Sequence, residues 1–143
     1  MFLVEQLLGF KLSQVILRIH QSTNEDFSDE GLTFANFGTL ATIANFPGLT
    51  QNELSEKTRK NKNVIVQFID KFEKKNLVER RKHPTDRRSH ALYLTEQGKD
   101  LVDRNWNNVV ESQKKLEKEV SEEEWQIFIK VLDKLMYAKG DVE

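Results

Sequence analysis

Cysteine is absent from the 143-residue sequence, which excludes disulfides, thiolate metal sites and a cysteine redox switch within this chain. Long hydrophobic runs are also missing, because the apolar residues of the segment 1–19 are interrupted by charged and polar side chains in a helical rhythm. We therefore expect neither a signal peptide nor a membrane-spanning helix. Both absences fit a cytoplasmic protein.

The motifs of common enzyme classes are missing as well. Six glycines form no phosphate-binding loop, no nucleophile elbow is present, and the three histidines stand in no metalloprotease spacing. We therefore expect no catalytic residue, no cofactor and no metal. His83 and His90 flank the tip of a predicted hairpin, which leaves a metal-responsive hairpin open as an alternative. Exposed histidines beside basic residues more often contact phosphate or nothing.

The chain as a whole has almost no net charge, -1, because 22 Lys and Arg nearly balance 23 Asp and Glu, but these charges are unevenly distributed. Residues 57–90 hold twelve Lys and Arg against four Asp and Glu, a net charge of +8, and the remainder carries -9. Salt screens exposed charges beyond about 8 Å, so a phosphate backbone responds to the local patch. A solvated basic face is the alternative interpretation, and the motifs within the segment decide against it.

Apolar residues in helical spacing predict long helices at both ends of the chain. The N-terminal stripe consists of Leu3, Leu7, Leu8, Leu12, Val15, Ile16 and Ile19. A polar loop is predicted over residues 21–31, and a second helix runs from there to Pro47, carrying Phe34, Phe37, Leu40, Ala41 and Ala44. Near the C-terminus, a helix over residues 96–119 is followed by another that begins at a Ser121/Glu124 capping box.

Two short helices in the middle of the chain predict a helix-turn-helix. Thr50 and Glu53 form a capping box for the first, which should end near residues 57–60, and Asn61 caps the second. The buried stripe of the second helix is predicted to be Ile65, Phe68, Ile69 and Phe72. So short a turn makes the helices cross steeply, and the second can then enter the major groove of DNA.

A β-hairpin is predicted after these helices. Asn76 can take the left-handed conformation that ends a helix, and residues 77–82 and 89–94 partly alternate apolar and polar side chains around the turn at 84–86. The tip would present Arg87 and Arg88 to solvent. A narrow minor groove attracts such side chains through its negative potential.

Three stretches together resemble the signature of the MarR family of bacterial transcriptional regulators: Leu77-Val78-Glu79-Arg80-Arg81, Asp86-Arg87-Arg88, and Leu92-Tyr93-Leu94-Thr95-Glu96-Gln97-Gly98. The expected fold class is mainly α with a small β-hairpin wing, an α+β winged helix-turn-helix with N- and C-terminal dimerisation helices. Residues 33–95 would form the DNA-binding domain, and residues 1–32 and 96–143 the dimerisation region.

The resemblance implies a repressor that binds a pseudo-palindromic operator in double-stranded DNA as a homodimer, with the fourth helix in the major groove. It also implies release by a small effector, for which an aromatic or phenolic molecule is expected. By this likeness Arg88 enters the minor groove and Asp86 orients it, although Asp86 can instead simply make the turn. The chain departs from the family at Thr58-Arg59-Lys60, where a small or apolar turn is usual, and at Gln67, near which an arginine is usual.

The candidate DNA-binding residues are Thr50, Arg59, Lys60, Asn61, Lys62, Asn63, Gln67, Lys71, Arg81, Asp86, Arg87 and Arg88. The candidate dimer-interface residues are Phe2, Leu3, Leu7, Phe128, Leu132, Leu135 and Met136. The helix over 96–119, about 36 Å long, exceeds what a winged unit needs. A dimer is favoured because the apolar residues Phe2, Leu3 and Val4 lie at the extreme terminus, where a monomer would usually fray. One intramolecular bundle of the terminal helices is the alternative.

Four aromatic residues are candidates for lining an effector pocket, although aromatics at helical spacing are more often core: Phe10, Phe34, Phe37 and Trp106. A second class of function also stays open. A winged-helix module can bind nucleic acid without sequence choice, or bind a protein, because a fold does not determine function.

Overall fold

The computed structural model describes residues 1–23 and 31–139. The element order is a 3-10 turn at Val4–Gln6, then α1 (Leu8–Ser22), α2 (Phe34–Asn45), α3 (Gln51–Thr58), α4 (Lys62–Lys74), β1 (Val78–Lys82), β2 (His90–Leu94), α5 (Glu96–Glu117) and α6 (Glu122–Met136). The predicted fold class, mainly α with a β-hairpin wing, is confirmed. Of the loop predicted over residues 21–31, the first two residues belong to α1, and residues 24–30 lie outside the described part.

The chain divides into two compact units. The first consists of Met1–Ser22 and Val109–Glu143, and the second of Thr23–Asn108. The first half of α5 therefore belongs to the unit that carries the wing, whereas the sequence assigned all of it to the dimerisation region. The physical reason is burial: Leu101 and Asn105 are almost completely buried, and the Trp106 ring lies 6.4 Å from that of Phe37.

The core of the second unit is formed by one face each of α2, α3, α4, the hairpin and the start of α5. Its members include Phe37, Leu40, Ile43, Leu49, Leu54, Ile65, Ile69, Phe72, Leu77, Val78, Leu92, Leu94 and Leu101. The predicted stripe of α4 is confirmed, with Phe68 only half-buried. In α2 the structure buries Ile43 and exposes Ala44. The prediction of Ala44 was wrong, because alanine is small enough to occur on either face of a helix.

The helix starts are fixed by the caps that the sequence predicts. Thr50 with Glu53 and Ser121 with Glu124 form capping boxes, and the Asn61 side chain accepts a hydrogen bond from the Asn63 amide at 2.7 Å. Each cap satisfies amides that a helix N-terminus leaves unpaired. These bonds determine where α3, α4 and α6 begin.

The wing is an antiparallel hairpin in which Val78 pairs with Leu94 and Lys82 with His90. Asn76 has the predicted left-handed conformation, with φ of 58°. On its other edge β2 is paired with the segment before α3, since Gly48 donates to the Leu92 carbonyl at 2.8 Å. The wing is therefore attached to the helix-turn-helix at the backbone level.

None of the helices within residues 1–23 and 31–139 is long and apolar enough to cross a membrane.

Candidate nucleic-acid interface

The turn between α3 and α4 is closed by Ser55, a buried residue of α3. Its hydroxyl donates to the Lys60 carbonyl at 2.5 Å, and the Lys60 amide donates to the Ser55 carbonyl at 3.2 Å. Arg59 between them takes the left-handed conformation, with φ of 56°. That backbone conformation is unusual for any residue other than glycine. The Thr58-Arg59-Lys60 sequence thus makes a tight turn without a glycine, because Ser55 holds its two ends.

The outer face of α4 presents polar side chains opposite the buried stripe. Lys62, Asn63 and Gln67 are exposed, and within the described residues their side chains make no recorded hydrogen bond inside the chain. Amide side chains match the donor and acceptor pair on the major-groove edge of adenine, and a lysine suits guanine or phosphate. This face has the chemistry of a base-reading surface.

Arg80 joins the wing to α4. From β1 its guanidinium reaches two carboxylates of α4, Asp70 at 2.8 Å and Glu73 at 2.6 Å, and the Arg80 side chain is 23% exposed. A guanidinium held by two carboxylates has little freedom. The distance between α4 and the hairpin is therefore fixed by a side-chain link as well as by packing. The sequence placed Arg80 in the basic segment and in the first strand of the hairpin but gave it no partner, because no local spacing connects it to Asp70 and Glu73.

Arg81 occupies the neighbouring position of β1 and faces the other way. Its guanidinium binds Glu79, with Nε 3.1 Å from Oε1, and stacks 4.1 Å from the centre of the Tyr93 ring. The hydrogen bond to Glu79 is the main cause that raises the pKa of Arg81 above its ordinary value. Three of the four acids in the basic segment thus face Arg80 and Arg81.

The wing tip is organised by Asp86. Its carboxylate accepts a hydrogen bond from the Arg88 backbone amide at 2.9 Å and one from the Ser89 hydroxyl at 3.1 Å. The Arg88 amide is the main cause that lowers the pKa of Asp86, and the Ser89 hydroxyl adds to it. Both hydrogen bonds are fully formed when the pH is above the ordinary carboxyl pKa. They are lost as the pH falls through the lowered pKa of Asp86. In this structure Asp86 has the turn-making role, since the described chain contains no ion pair between it and the Arg88 guanidinium.

His83 contributes a second set of bonds to the tip that the sequence did not predict. Its Nδ1 accepts from the backbone amides of Thr85, at 3.2 Å, and Asp86, at 3.0 Å. His90 pairs with Lys82 across the hairpin. In the part of the chain that the structure describes, no three histidine or carboxylate side chains come together as a metal site.

The structure places the other predicted DNA-binding residues in two groups. Arg87 and Arg88 are exposed at the tip, and Arg59 and Lys60 lie in the α3–α4 turn. A second group already contacts the chain itself: Thr50 and Asn61 as caps, Arg81 on Glu79 and Tyr93, Asp86 in the tip turn, and Lys71, whose ammonium donates to the Gly31 carbonyl at 3.2 Å. Their roles on DNA stay predictions.

Two of the four aromatic pocket candidates, Phe37 and Trp106, lie together, with their ring centroids 6.4 Å apart. Phe37 is buried against Trp106 as part of the core, Phe34 is half-buried, and Phe10 is exposed on α1. A separate open cleft of about 490 Å³ lies where Leu77 meets the start of α5, and it is lined mainly by charged and polar residues. None of the four aromatics lines that cleft.

Comparison with known proteins relates this arrangement to a family. A family model described as the MarR family matches residues 30–89, the segment that contains α2, the helix-turn-helix and most of the wing. A solved transcriptional repressor, CouR, bound to a 23-mer DNA duplex, is 25% identical, with a TM-score of 0.80 over 93% of this chain and 94% of that chain. The winged helix-turn-helix of this chain is therefore similar to that of the MarR family over residues 30–89. MarR-family proteins are transcriptional regulators that bind DNA and catalyse no reaction, in agreement with the expectation of a protein that is not an enzyme.

Two further known proteins show how much of this chain the likeness covers. A putative transcriptional regulatory protein for the hcr operon of Thauera aromatica is 36% identical over 92 residues, which cover 64% of this chain and 55% of that protein. The chain thus matches little more than half of that relative. PcaV of Streptomyces coelicolor, solved with its natural ligand, is 17% identical with a TM-score of 0.82 over 98% of this chain and 99% of that chain, a likeness in fold.

Proposed function

We propose that this protein is a transcriptional repressor that binds a pseudo-palindromic DNA operator as a homodimer and releases it when a small aromatic or phenolic molecule binds. The observation that carries the proposal is the fixed pairing of two DNA-reading surfaces. The exposed polar face of α4 and the arginine-bearing wing tip belong to one unit, and Arg80 links them at 2.8 and 2.6 Å. A helix in the major groove and a wing in the adjacent minor groove need such a constant separation.

Homodimer formation is supported by the first unit. Neither α1 nor α6 contains a buried residue in the single chain, although both carry apolar stripes. Of the predicted interface residues, Phe2 is 94% and Leu135 is 57% exposed, and Leu132 alone is half-buried. An intramolecular bundle would cover these side chains, and water-exposed apolar faces of this extent are typical of interfaces. A symmetric dimer then explains a pseudo-palindromic operator.

Release by a small molecule is proposed from a likeness in fold. PcaV, the relative solved with its natural ligand, has the same fold. We propose a small organic effector for this chain by that likeness, and binding is measured by the shift in unfolding temperature with a panel of aromatic acids and phenols.

Selecting bound sequences from a random DNA library with the purified full chain tests the function directly. The selected sequence is then used in competition against random DNA. A sequence-specific regulator binds its operator about 10³ to 10⁷ times more tightly than random DNA. A ratio near one would instead identify a module that binds nucleic acid through charge alone, which is the function that the net charge of +8 over residues 57–90 would support by itself.

The affinity for DNA is expected to fall steeply with salt. Lysine and arginine side chains on phosphates release condensed counterions, so the logarithm of the affinity should fall linearly with the logarithm of the salt concentration, by about 0.9 per phosphate contacted. Fluorescence anisotropy between low and moderate salt measures the slope. A flat response would remove the electrostatic basis of the proposal.

Gln67→Ala is expected to relax base choice at one position in each half-site. Gln67 lies exposed on α4, opposite the core, so the loss should be about 1 to 3 kcal/mol on the operator and small on random DNA. Gln113→Ala, at an exposed position of α5, is the matched control. Equal losses on operator and random DNA would show that Gln67 does not read a base.

Arg88→Ala and Asp86→Ala are each expected to weaken operator binding, and the double variant should be little worse than Arg88→Ala. The reason is that Asp86 acts on DNA binding only by positioning Arg88 through the Arg88 backbone amide. Once the Arg88 side chain is gone, losing Asp86 should therefore cost little more. Asp86→Asn should retain most of the binding, because its amide oxygen can accept the same backbone hydrogen bond. If Asp86→Asn binds as poorly as Asp86→Ala, the charge itself is needed and Asp86 orients the Arg88 guanidinium on DNA.

A further inference from the structure

The imidazole of His83 occupies a defined place at the base of the wing tip. Its Nδ1 is 3.2 Å from the Thr85 amide nitrogen and 3.0 Å from the Asp86 amide nitrogen. A backbone amide can only donate, so Nδ1 must present its lone pair to both and carry no proton. The ring nitrogen therefore accepts backbone hydrogen bonds as an asparagine or aspartate oxygen does in an Asx turn.

Two such turns follow one another along the tip. His83 holds the amides of Thr85 and Asp86, and the Asp86 carboxylate holds the Arg88 amide and the Ser89 hydroxyl. The loop is closed where the His83 amide donates to the Ser89 carbonyl at 3.4 Å. A continuous series of side-chain-to-backbone bonds thus runs from the end of β1 to Arg88.

We propose that His83 is a positioning residue of the wing, whose unprotonated Nδ1 sets the path of residues 84–88 and so the place at which Arg87 and Arg88 meet the minor groove. This inference rests on the proposed DNA-binding function and adds a residue that acts through other residues, without itself touching DNA.

A substitution in the wing can also change the attraction to phosphate, which acts on every DNA equally. The ratio of operator affinity to random-DNA affinity cancels that attraction and retains the positioning effect.

The experiment compares the parent with His83→Asn and His83→Ala as full chains. Asparagine supplies an acceptor for the same amides and does not titrate, whereas alanine supplies none. At pH 8 we expect the affinity ratio of His83→Asn to match the parent, and that of His83→Ala to be about three- to tenfold lower, the effect of losing one or two hydrogen bonds. Recovery of the ratio in His83→Asn but not in His83→Ala would show that the acceptor atom, and not the bulk of the ring, sets the path of the tip.

Either of two results would overturn the inference: a ratio for His83→Ala equal to that of the parent at pH 8, or a ratio for His83→Asn as low as that of His83→Ala. A measurement without DNA keeps the inference separate from the proposed function. Amide hydrogen exchange of Thr85 and Asp86 in the free protein should be slowed in the parent and in His83→Asn but not in His83→Ala. Unchanged exchange in His83→Ala shows that the ring does not hold the tip, whereas slowed exchange in a chain that selects no operator overturns the proposed function alone.

Discussion

Alanine at Gly98 is expected to destabilise the protein by about 1 to 3 kcal/mol, the usual cost of overpacking a filled site. Gly98 lies in the first turn of α5, where a Cβ atom would stand 2.1 Å from the carbonyl oxygen of Leu77. That neighbour is backbone and cannot rotate away. It is also held in place, because the Leu77 carbonyl accepts a hydrogen bond from the Thr95 amide at 3.0 Å. Relief requires the helix start to move away from the beginning of the hairpin.

The matched control is Gly38→Ala, in the middle of α2. A Cβ atom at Gly38 would meet no atom within 4 Å, so only the helix preference of alanine remains, and that should stabilise the protein by about 0.5 to 1 kcal/mol. Urea unfolding followed by circular dichroism measures both. Opposite signs for two identical substitutions would confirm the close approach at Gly98, and two stabilising substitutions would contradict it.

Leu135→Lys is expected to convert a dimer into monomers, with association weakened by at least about a hundredfold. Leu135 is 57% exposed on α6 in the single chain, so a lysine there should leave the chain folded. In a two-fold symmetric interface the substitution occurs twice, and each buried, unpaired charge costs several kcal/mol, where about 1.4 kcal/mol corresponds to tenfold. Leu132 is the less suitable position, because it is half-buried and a charge would also disturb the chain itself.

Sedimentation velocity at several concentrations measures the effect. Lys130→Glu, an exposed polar position on the opposite face of α6, is the control and should sediment like the parent. Removal of residues 1–11 should also abolish association, since it deletes Phe2, Leu3 and Leu7. A parent protein that sediments as a monomer would defeat the proposed homodimer, and so would a Leu135→Lys variant that still dimerises.

Local interactions account for what the sequence predicted well. The starts of α3, α4 and α6 depend on side chains within three residues of the amides that they cap, so Thr50, Asn61 and Ser121 could be identified from spacing alone. The left-handed Asn76 that ends the fourth helix was predicted in the same way. Periodicity also identified the buried face of α4, because the side chains of Ile65 and Ile69 are one helical turn apart.

By itself the sequence therefore determined the class of fold, the order of its elements and the placement of a basic segment on a helix-turn-helix with a wing. The tertiary structure alone decided which cations face acids and which atoms hold the wing tip. Arg80 meets Asp70 and Glu73 only because β1 packs beside α4, and Gly98 must be glycine only because α5 starts against Leu77. Such contacts join residues 7 to 21 positions apart, beyond the reach of any helical or strand period, so packing has to bring them together before they can be seen.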